Sequence, residues 1–460
     1  MTMIRPETEM KDSGIAWIGD IPSNWETIPL KKIVVDRAGG AWGNEPYENN
    51  STICMRIADF DFDRGVFQDK SETELTKRSY KEYQIDKLLL QTNDICIEKS
   101  GGGEKTPVGR AVLFDKPYDA LFANFMDRIR VDNAVSFPKY VEYYLRAMYF
   151  LSVTTLYIKQ TTGIQNLNVT SLLEKEVITL PSLSEQQAIA DYLDEACSKI
   201  DEIIAEAKAS IDEYKELKQS ILFETMTRGI QSDRKYKTCD YEWLGKVPED
   251  WSLMKIIHIL DDNDSYPIGD GDHGLIKTDS YKSEGIPYIR VQNIGWGTPL
   301  LMDNVVYISK EDNERIKGSQ LKPGDVLFVK TGATIGKTAI VPNNIPISNT
   351  TSHVGKITVS KEHNSKYIFY LLSSFIGYKQ FWDIACMKAT RPELSISEIK
   401  QMKVLIPSTR DEEDEIVEYL DNKLPEYETL ICIKESLIND LEAYKKSLIY
   451  EVVTGKRRVV

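Results

Sequence analysis

The sequence contains little cysteine and histidine, with six and four of these residues among 460. The cysteines are far apart and form no CxxC pair, which argues against a disulfide framework or a zinc ribbon and fits a reducing cytoplasm. The histidines form no HExxH motif, so we expect no metal site built from protein ligands. No run of about 18 apolar residues predicts a membrane span. The N-terminal residues lack the basic and apolar regions of a Sec signal, so we expect a cytoplasmic protein.

Familiar catalytic motifs are also missing. Residues 332–338 resemble a phosphate-binding loop, but three residues separate Gly332 from Gly336 where a Walker A loop has four. Residues 115–118 approach the Asp/Asn-Pro-Pro-Tyr motif of amino-methyltransferases, but Lys116 replaces the first proline. The chain has no GxSxG motif and no convincing nucleophile–base set. These absences disfavour an enzyme.

The net charge of −14 is unevenly distributed. The short segments 181–231 and 407–460 carry net charges of −6 and −5, whereas the long segments 1–180 and 232–406 carry −4 and +1. An acidic chain as a whole speaks against nucleic-acid binding, because such proteins usually present a basic face. The two long segments are nearly neutral, so their charge does not exclude nucleic-acid binding by them.

The sequence repeats one plan at an offset of 226 to 227 residues. The motif Trp17–Trp25 recurs as Trp243–Trp251, and residues 139–145 and 189–194 match 366–372 and 416–421. Between these anchors the copies diverge in sequence and loop length. This pattern is expected of two modules that do the same job on different targets. The alternative is an old duplication whose middle parts drifted without purpose.

Each copy predicts a mixed α/β (α+β) module followed by a long helix. We predict four segments: residues 1–180, 181–231, 232–406 and 407–460. Residues 94–97 and 325–329 predict buried strands, and residues 140–149 and 367–376 predict apolar helices. Ser184 and Gln187 predict a capping box at the start of the first long helix, Gly229 predicts its end, and Pro425 predicts a kink or restart in the second.

The long helices carry coiled-coil patterns. Apolar residues follow each other at alternating steps of four and three, which is typical of an a/d seam. The first seam contains Ile189, Leu193, Ala196, Ile200, Ile203, Ala207, Ser210, Tyr214, Leu217 and Ile221, and the second contains Ile416, Leu420, Lys423, Tyr427, Leu430, Lys434, Leu437, Leu441, Tyr444 and Leu448. We predict an antiparallel pair with a pseudo-two-fold arrangement of the modules. The alternative is that each helix packs on its own module.

Polar clusters at strand ends are the candidate DNA contacts. Glycine allows close backbone approach to a phosphate, lysine and arginine supply charge, and Arg, Gln and Asn can bond base edges in bidentate fashion. The first copy offers Arg56 with Asp59, then Lys99, Ser100, Gly101, Lys105 and Arg110, and then Lys159, Gln160, Thr161, Gln165 and Asn166. The second offers Arg290, Gln292, Asn293, Lys330, Thr331, Lys337, Lys388 and Arg391. The alternative is hairpin turns with solvated charges.

Taken together, the chain resembles the specificity (S) subunit of Type I restriction–modification systems. The resemblance rests on the module start at residues 12–25, the helix start at 181–190 and the helix ends at 220–229 and 447–456, and it covers nearly the whole chain. It implies two target recognition domains, each reading one half of a split double-stranded DNA sequence, joined by helical spacers that set the gap.

The resemblance also implies partners and their cofactors. Two modification (M) subunits would bind S-adenosylmethionine and methylate adenine, and restriction (R) subunits would use ATP and Mg, so this chain would hold no catalytic centre and no cofactor. We predict that the spacer helices dock the M subunits through Ile189, Leu193, Ile200, Leu217, Leu420, Leu437 and Leu448. The alternatives are a DNA methyltransferase with unrecognised motifs and an adaptor that does not bind DNA.

Overall fold

The computed structural model of the chain describes residues 3–46, 51–161, 163–271, 274–386 and 392–459. The chain divides into two compact units. Unit 1 contains Met1–Ala209 and Glu435–Val460, and unit 2 contains Ser210–Lys434. Each unit combines one α/β module with parts of two long helices. The four segments predicted from the sequence are a different division, because they separate each module from its long helix. Their boundaries stay a prediction.

The described residues form helices of very different length. They are α1 (Glu82–Leu88), α2 (Pro138–Phe150), α3 (Val169–Lys175), α4 (Leu183–Arg228), α5 (Lys310–Arg315), α6 (Ser365–Ser373), α7 (Phe375–Cys386), α8 (Ile396–Gln401) and α9 (Arg410–Val453). The two long helices confirm the predicted spacers. No helix in the described part of the chain is both long and apolar enough to cross a membrane.

Strands β1–β17 and β31 belong to unit 1, and β18–β30 belong to unit 2. The strands of both units are short. They are β1 (Met3–Ile4), β2 (Met10–Asp12), β3 (Asp20–Pro22), β4 (Glu26–Pro29), β5 (Val34–Gly39), β6 (Thr52–Met55), β7 (Phe60–Asp61), β8 (Val66–Phe67), β9 (Lys77–Arg78), β10 (Ile95–Glu98), β11 (Ser100–Gly101), β12 (Ala111–Leu113), β13 (Ala120–Phe122), β14 (Met126–Val131), β15 (Ile158–Thr161), β16 (Ile164–Leu167), β17 (Val177–Leu180), β18 (Tyr236–Thr238), β19 (Lys246–Pro248), β20 (Ser252–Lys255), β21 (Ile268–Asp270), β22 (Ile286–Ile289), β23 (Trp296–Pro299), β24 (Val306–Ile308), β25 (Gln320–Leu321), β26 (Val326–Val329), β27 (Thr338–Ile340), β28 (Ser348–Thr350), β29 (Val354–Ile357), β30 (Lys403–Ile406) and β31 (Arg457–Arg458).

The two modules share one sheet plan, which confirms the mixed α/β repeat. In unit 1 the largest sheet has the order β5-β14-β10-β12-β8-β7, and in unit 2 it has the order β21-β29-β26-β27-β23. Each sheet is centred on one of the predicted buried strands, β10 or β26, whose side chains are all buried. A second sheet contains the parallel pair β13–β6 in unit 1 and β28–β22 in unit 2.

The apolar helix of each module covers its sheet. Helix α2 spans the predicted residues 140–149 and is buried along most of its length. In unit 2 the predicted helix 367–376 is divided, because α6 ends at Ser373 and α7 begins at Phe375. Ser374 stands between them in an extended conformation, and its hydroxyl donates to the carbonyl of Leu371 at 2.6 Å.

Within each unit, α4 and α9 run antiparallel. In unit 1, Lys445 Nζ lies 2.6 Å from a carboxylate oxygen of Asp201, while Tyr192, nearer the start of α4, interacts with Arg457 beyond the end of α9. In unit 2, Lys218 pairs with Glu428, and Arg234 beyond α4 pairs with Glu412 near the start of α9. Later residues of one helix meet earlier residues of the other, which confirms the predicted antiparallel pair.

The buried seam of the helices differs from the predicted one by one residue in every second position. In α4 the buried residues are Cys197, Ile204 and Ile211 instead of Ala196, Ile203 and Ser210. In α9 they are Leu424, Ile438 and Lys445 instead of Lys423, Leu437 and Tyr444, and Ile431 is half-buried where Leu430 is exposed. Apolar residues occupy most positions of both rows, so spacing alone did not distinguish them. Tertiary contacts, which the spacing does not encode, select the row that is buried.

The predicted capping residue of α4 and the predicted restart of α9 at Pro425 also need correction, whereas a kink at Pro425 stays a prediction. The hydroxyl of Ser182, two residues before the predicted Ser184, accepts the backbone N–H of Glu185 at 3.3 Å and caps α4. Gly229, with φ of +72°, follows the last residue of α4 as predicted. Helix α9 continues through Pro425 to Val453 without restarting there, and the Thr429 hydroxyl donates to the carbonyl of Pro425.

Candidate nucleic-acid interface

The two polar clusters of the first module meet in one small sheet. Strand β11 follows the buried strand β10 and pairs with β16, which in turn pairs with β15. Ser100 lies opposite Asn166, and its hydroxyl donates to the Asn166 side-chain oxygen at 2.7 Å. Lys159 lies opposite Asn166 and Gln160 opposite Gln165. The structure therefore brings together residues that are about 60 positions apart in the sequence.

These residues differ in how freely they could contact a ligand. The side chains of Lys159, Gln160 and Asn166 are exposed, as is Lys105 in the turn after β11. Gln165 is buried, and its side-chain oxygen accepts the backbone N–H of Val108 at 3.2 Å. It therefore holds the 101–110 loop against the sheet. Gly101, with φ of +119°, shapes that loop, and Thr161 ends β15.

The cations at the end of β10 already have carboxylate partners. Lys99 Nζ lies 2.7 Å from Asp127, and Arg110 binds Glu98 through two bonds of 2.8 and 3.0 Å. Both carboxylates are almost completely buried. The guanidinium of Arg110 also lies 3.5 Å from the centre of the Phe62 ring. A phosphate at this position would have to compete with buried ion pairs, so the phosphate role of these two cations stays a prediction.

Arg56 stands at the end of β6 and is held by a buried carboxylate. Its Nε and Nη2 each lie 3.2 Å from one oxygen of Asp59, which also accepts the Arg56 backbone N–H and a bond from Lys70. Burial favours the neutral form of Asp59, but the bonds from Arg56 and Lys70 outweigh this and lower the pKa of its carboxyl. Asp59 thus stays charged and fixes the arginine.

In the second module, too, two polar clusters meet, but they are formed by different residues. Thr331, just after β26, forms an antiparallel bridge with Glu393, and Gly332 donates to the carbonyl of Pro392 at 3.2 Å. The Thr331 hydroxyl lies 2.7 Å from Nδ1 of His353. Lys337, near the start of β27, is half-buried. Lys388 and Arg391 lie outside the described residues.

Lys330 in this module is buried among acidic groups. Its ammonium lies 2.8 Å from Asp270 and 3.1 Å from Glu393. Burial disfavours charge on this lysine, but its bonds with the two carboxylates raise its pKa above the usual value. Lys330 therefore carries charge that is compensated locally, as Lys99 does in the first module.

The strand-end residues of β22 correspond to Arg56 and its neighbours. The backbone N–H of Arg290 donates to the side-chain oxygen of Asn293 at 3.0 Å, the position that Asp59 holds in unit 1. Asn293 is buried and bonds the carbonyls of Leu301 and Asp303. The Arg290 guanidinium donates to the carbonyl of Asn304 at 2.9 Å. Of the three predicted residues here, Gln292 is the exposed one.

The repeated motifs prove to be anchors between module and helix, a role that the sequence did not reveal. In unit 1 the indole N–H of Trp25 donates to Glu185 at 3.1 Å, and Arg5 pairs with the same carboxylate. In unit 2 Trp251 and Arg234 bind Glu412 in the same way. A second anchor joins Tyr143 and Lys139 to Asp194 in unit 1 and Tyr370 and Lys366 to Asp421 in unit 2. The offsets of 226 to 227 residues that relate Trp25 to Trp251 and Tyr143 to Tyr370 were the sequence signal that could have revealed this role.

Five of the seven proposed docking residues are buried inside their units. Ile189, Leu193, Ile200, Leu420 and Leu448 are less than 9% exposed, whereas Leu217 and Leu437 are 47% and 38% exposed. Without rearrangement, only the exposed pair can contact a further subunit. The sequence prediction mixed the two groups because it placed the seam one residue away. The exposed apolar residues Ile203, Leu430, Ile433 and Tyr444 lie on the same helices.

Comparison with known proteins gives consistent matches. A family model described as the Type I restriction modification DNA specificity domain matches residues 22–213 and 270–443. The chain is 22% identical over 377 residues to the specificity subunit of the Type I restriction enzyme MjaVIII from Methanocaldococcus jannaschii, covering 81% of each protein. It is 28% identical over 255 residues to that of the Escherichia coli enzyme EcoBI, covering 53% of this chain and 51% of the other.

Solved structures share the fold. One chain, from work on the complex assembly and conformational transition of the type I R-M system, superposes with a TM-score of 0.69 at 13% identity and covers 95% of this chain and 99% of its own. The HsdS subunit from Thermoanaerobacter tengcongensis gives a TM-score of 0.52 at 13% identity, with 95% and 98% covered. At these identities the likeness concerns the fold alone.

Proposed function

The chain belongs to the family of Type I restriction modification DNA specificity domains, and we propose that each of its two modules reads one half of a split DNA target. It is the specificity subunit of a Type I restriction–modification system and contains two DNA-recognition domains. The first module would read with Arg56, Lys159, Gln160 and Asn166, and the second with Gln292, Lys337, Lys388 and Arg391.

One observation carries this division of labour. The residues that attach each module to its helix are the same in both units, Trp25 with Glu185 and Trp251 with Glu412. The residues at the strand ends differ, such as Asp59 against Asn293. Two modules that recognise different DNA sequences need the same attachment to the helices but different polar residues at their strand ends. This is because base edges are distinguished by their pattern of hydrogen-bond donors and acceptors.

The remaining parts of the proposal concern the partners. The helices would fix the distance between the half-sites and dock two modification subunits, with Leu217 and Leu437 available at the surface. Those subunits would carry S-adenosylmethionine, and restriction subunits would use ATP and Mg. This chain would supply recognition without catalysis or a cofactor of its own, and it would work in the cytoplasm.

Deletion of the gene tests the function directly. We expect that one split motif, two short half-sites with a fixed gap, disappears from the map of methylated adenines in the organism that encodes the chain, while every other methylated motif remains. Long-read sequencing of the deletion strain and its parent measures this. A complemented strain is the control. The proposal fails if the methylation map is unchanged and the tagged chain does not co-purify with a methyltransferase subunit.

The isolated chain should bind DNA weakly. Lys99, Arg110 and Lys330 are neutralised by carboxylates, so few phosphates can be bound without breaking ion pairs. Since each phosphate contact adds about 0.9 to the salt exponent, we expect a shallow log–log slope, about −3 or less steep. Fluorescence anisotropy with random duplex between 50 and 200 mM salt measures the slope. Adding the modification subunits should raise the affinity sharply, whereas a tight, steeply salt-dependent complex of the chain alone would contradict the expectation.

A further inference from the structure

A cavity of about 500 Å³ opens in unit 1 beside the candidate cluster. Trp42, Arg56, Ile57, Asn124 and Phe125 are among its lining residues. Its walls are mainly apolar, with one guanidinium and one amide. None of its aromatic residues belongs to the candidate set derived from the sequence. Trp42 and Phe125 are 39% and 49% exposed, so both rings are accessible to a ligand at this cavity.

The rim of this cavity is rigid because three strands end there. Ala41 follows β5 and donates to the carbonyl of Phe122 at 3.0 Å, and Ala123 follows β13 and donates to the carbonyl of Met55 at 2.9 Å. Gly40 allows the first of these approaches, since a Cβ there would lie 2.2 Å from the carbonyl oxygen of Ala123. The lining side chains are therefore carried by strand ends with fixed backbone positions.

The cavity is adjacent to the small sheet of β11, β16 and β15. The carbonyl of Phe125 accepts the backbone N–H groups of both Lys99 and Ser100, at 2.9 and 3.2 Å. Ser100 begins the strand that pairs with β16 and its exposed Asn166. A ligand bound along that sheet thus lies next to the cavity. The guanidinium of Arg78 stacks over the Trp42 ring at 4.2 Å and holds this wall in place.

Arg56 presents one unused edge at this cavity. Its side-on pairing with Asp59 occupies Nε and one hydrogen of Nη2. Nη1 and the second hydrogen of Nη2 have no partner among the described residues, and the side chain is 34% exposed. Two parallel N–H donors on the end of a guanidinium match the O6 and N7 acceptors of guanine in the major groove. Asp59 fixes the arginine before any ligand arrives, which lowers the entropic cost of that bidentate contact.

Among the described residues of the second module this arrangement is not found. Arg290 donates to the carbonyl of Asn304, and the neutral Asn293 replaces the carboxylate. Its guanidinium is therefore tied to a loop and not held side-on by an acid. The difference between the two equivalent positions fits modules that read different bases.

We infer that Arg56 reads a guanine in the half-site of the first module and that Trp42 and Phe125 contact the 5-methyl group of a neighbouring thymine. This assignment rests on the proposed function. Arginine recognises guanine and apolar side chains contact the thymine methyl group in base readout, and the cavity offers both chemistries side by side. Asp59 is then a positioning residue, and Trp42 and Phe125 add specificity at the adjacent position.

Methylation by the full complex tests the assignment. The chain and its modification subunits are co-expressed in a strain without adenine methylation, the motif is mapped, and the purified complex is assayed on duplexes with each base at the guanine position. Arg56→Gln should lower discrimination for guanine by about 10- to 100-fold at one position of one half-site. Phe125→Ala should weaken the preference for the adjacent thymine several-fold and leave the guanine preference intact.

Matched variants separate reading from folding. Arg64→Gln changes an exposed arginine of the same module and should leave both preferences unchanged, and Arg290→Gln should spare the half-site affected by Arg56→Gln. If Arg56→Gln does not fold, Phe125→Ala, at an exposed position, decides: an unchanged thymine preference overturns the inference. A wild-type motif without two half-sites would refute the proposed function itself. A split motif whose guanine discrimination survives Arg56→Gln would overturn only the present inference.

Discussion

Replacing Asp59 with alanine is expected to lower the free energy of unfolding of unit 1 by about 3 kcal/mol, since it leaves two cations without their shared buried partner. Asp59 is fully buried and binds Arg56, Lys70 and the backbone N–H of Arg56. Asp59→Asn should cost less, because Asn293 shows that an asparagine can cap the same turn in unit 2. Chemical unfolding of the full chain followed by circular dichroism measures both variants.

The acid dependence of Asp59 gives this prediction a second measurement. Its pKa is lowered in the folded state, so its contribution to stability is complete above the unfolded-state pKa of about 3.9 and is lost as the pH falls through the lower folded-state value. Between about pH 5 and pH 3, Asp59→Asn should therefore lose stability less steeply than the wild type. The control is Asp69→Asn, whose exposed pairs should contribute less than about 1 kcal/mol. Equal losses for Asp59→Ala and Asp69→Asn would contradict the argument.

The sequence predicted the features that depend on local pattern. The internal repeat, the buried strands β10 and β26 and the two long helices follow from residue spacing and hydrophobic periodicity, and all are confirmed. The capping residue was displaced by two positions, because both Ser182 and Ser184 fit the signal at the start of α4. Local chemistry thus located the elements well and their ends less well.

Features that depend on distant contacts could not be predicted. Ile203 and Ile204 are equally apolar, yet one is 45% and the other 7% exposed, because contacts with the rest of the folded unit, and not the helix pattern, decide which row is covered. Gln165 was predicted to read a base, but its side-chain oxygen accepts the backbone N–H of Val108 from a distant loop. Trp42 and Phe125 come from strand ends more than 80 residues apart in the sequence, and no spacing rule joins them. The candidate interface is therefore only partly visible from the sequence.

Trp25→Ala should destabilise unit 1 by about 3–5 kcal/mol, the usual cost of removing a buried aromatic side chain. Trp25 is 1% exposed and its indole N–H binds Glu185 at the start of α4, so the change removes both packing and the link between module and helix. Trp251→Ala should do the same in unit 2, where Trp251 belongs to the main hydrophobic core. Hydrogen exchange with peptide resolution measures the loss of protection in each unit separately, and methylation of the split target should fall with it.

Each variant serves as the control of the other, because the two units have their own cores. Trp25→Ala should expose peptides around β4, β17 and the start of α4, and Trp251→Ala should expose those around β20, β30 and the start of α9. The phenylalanine variants keep most of the packing and lose only the bond to the carboxylate, so they should cost about 1.5 kcal/mol. If Trp25→Phe were as damaging as Trp25→Ala, the carboxylate bond and not the packing would carry the anchor. Unchanged protection in both alanine variants would show that the repeated tryptophans do not hold the modules to their helices.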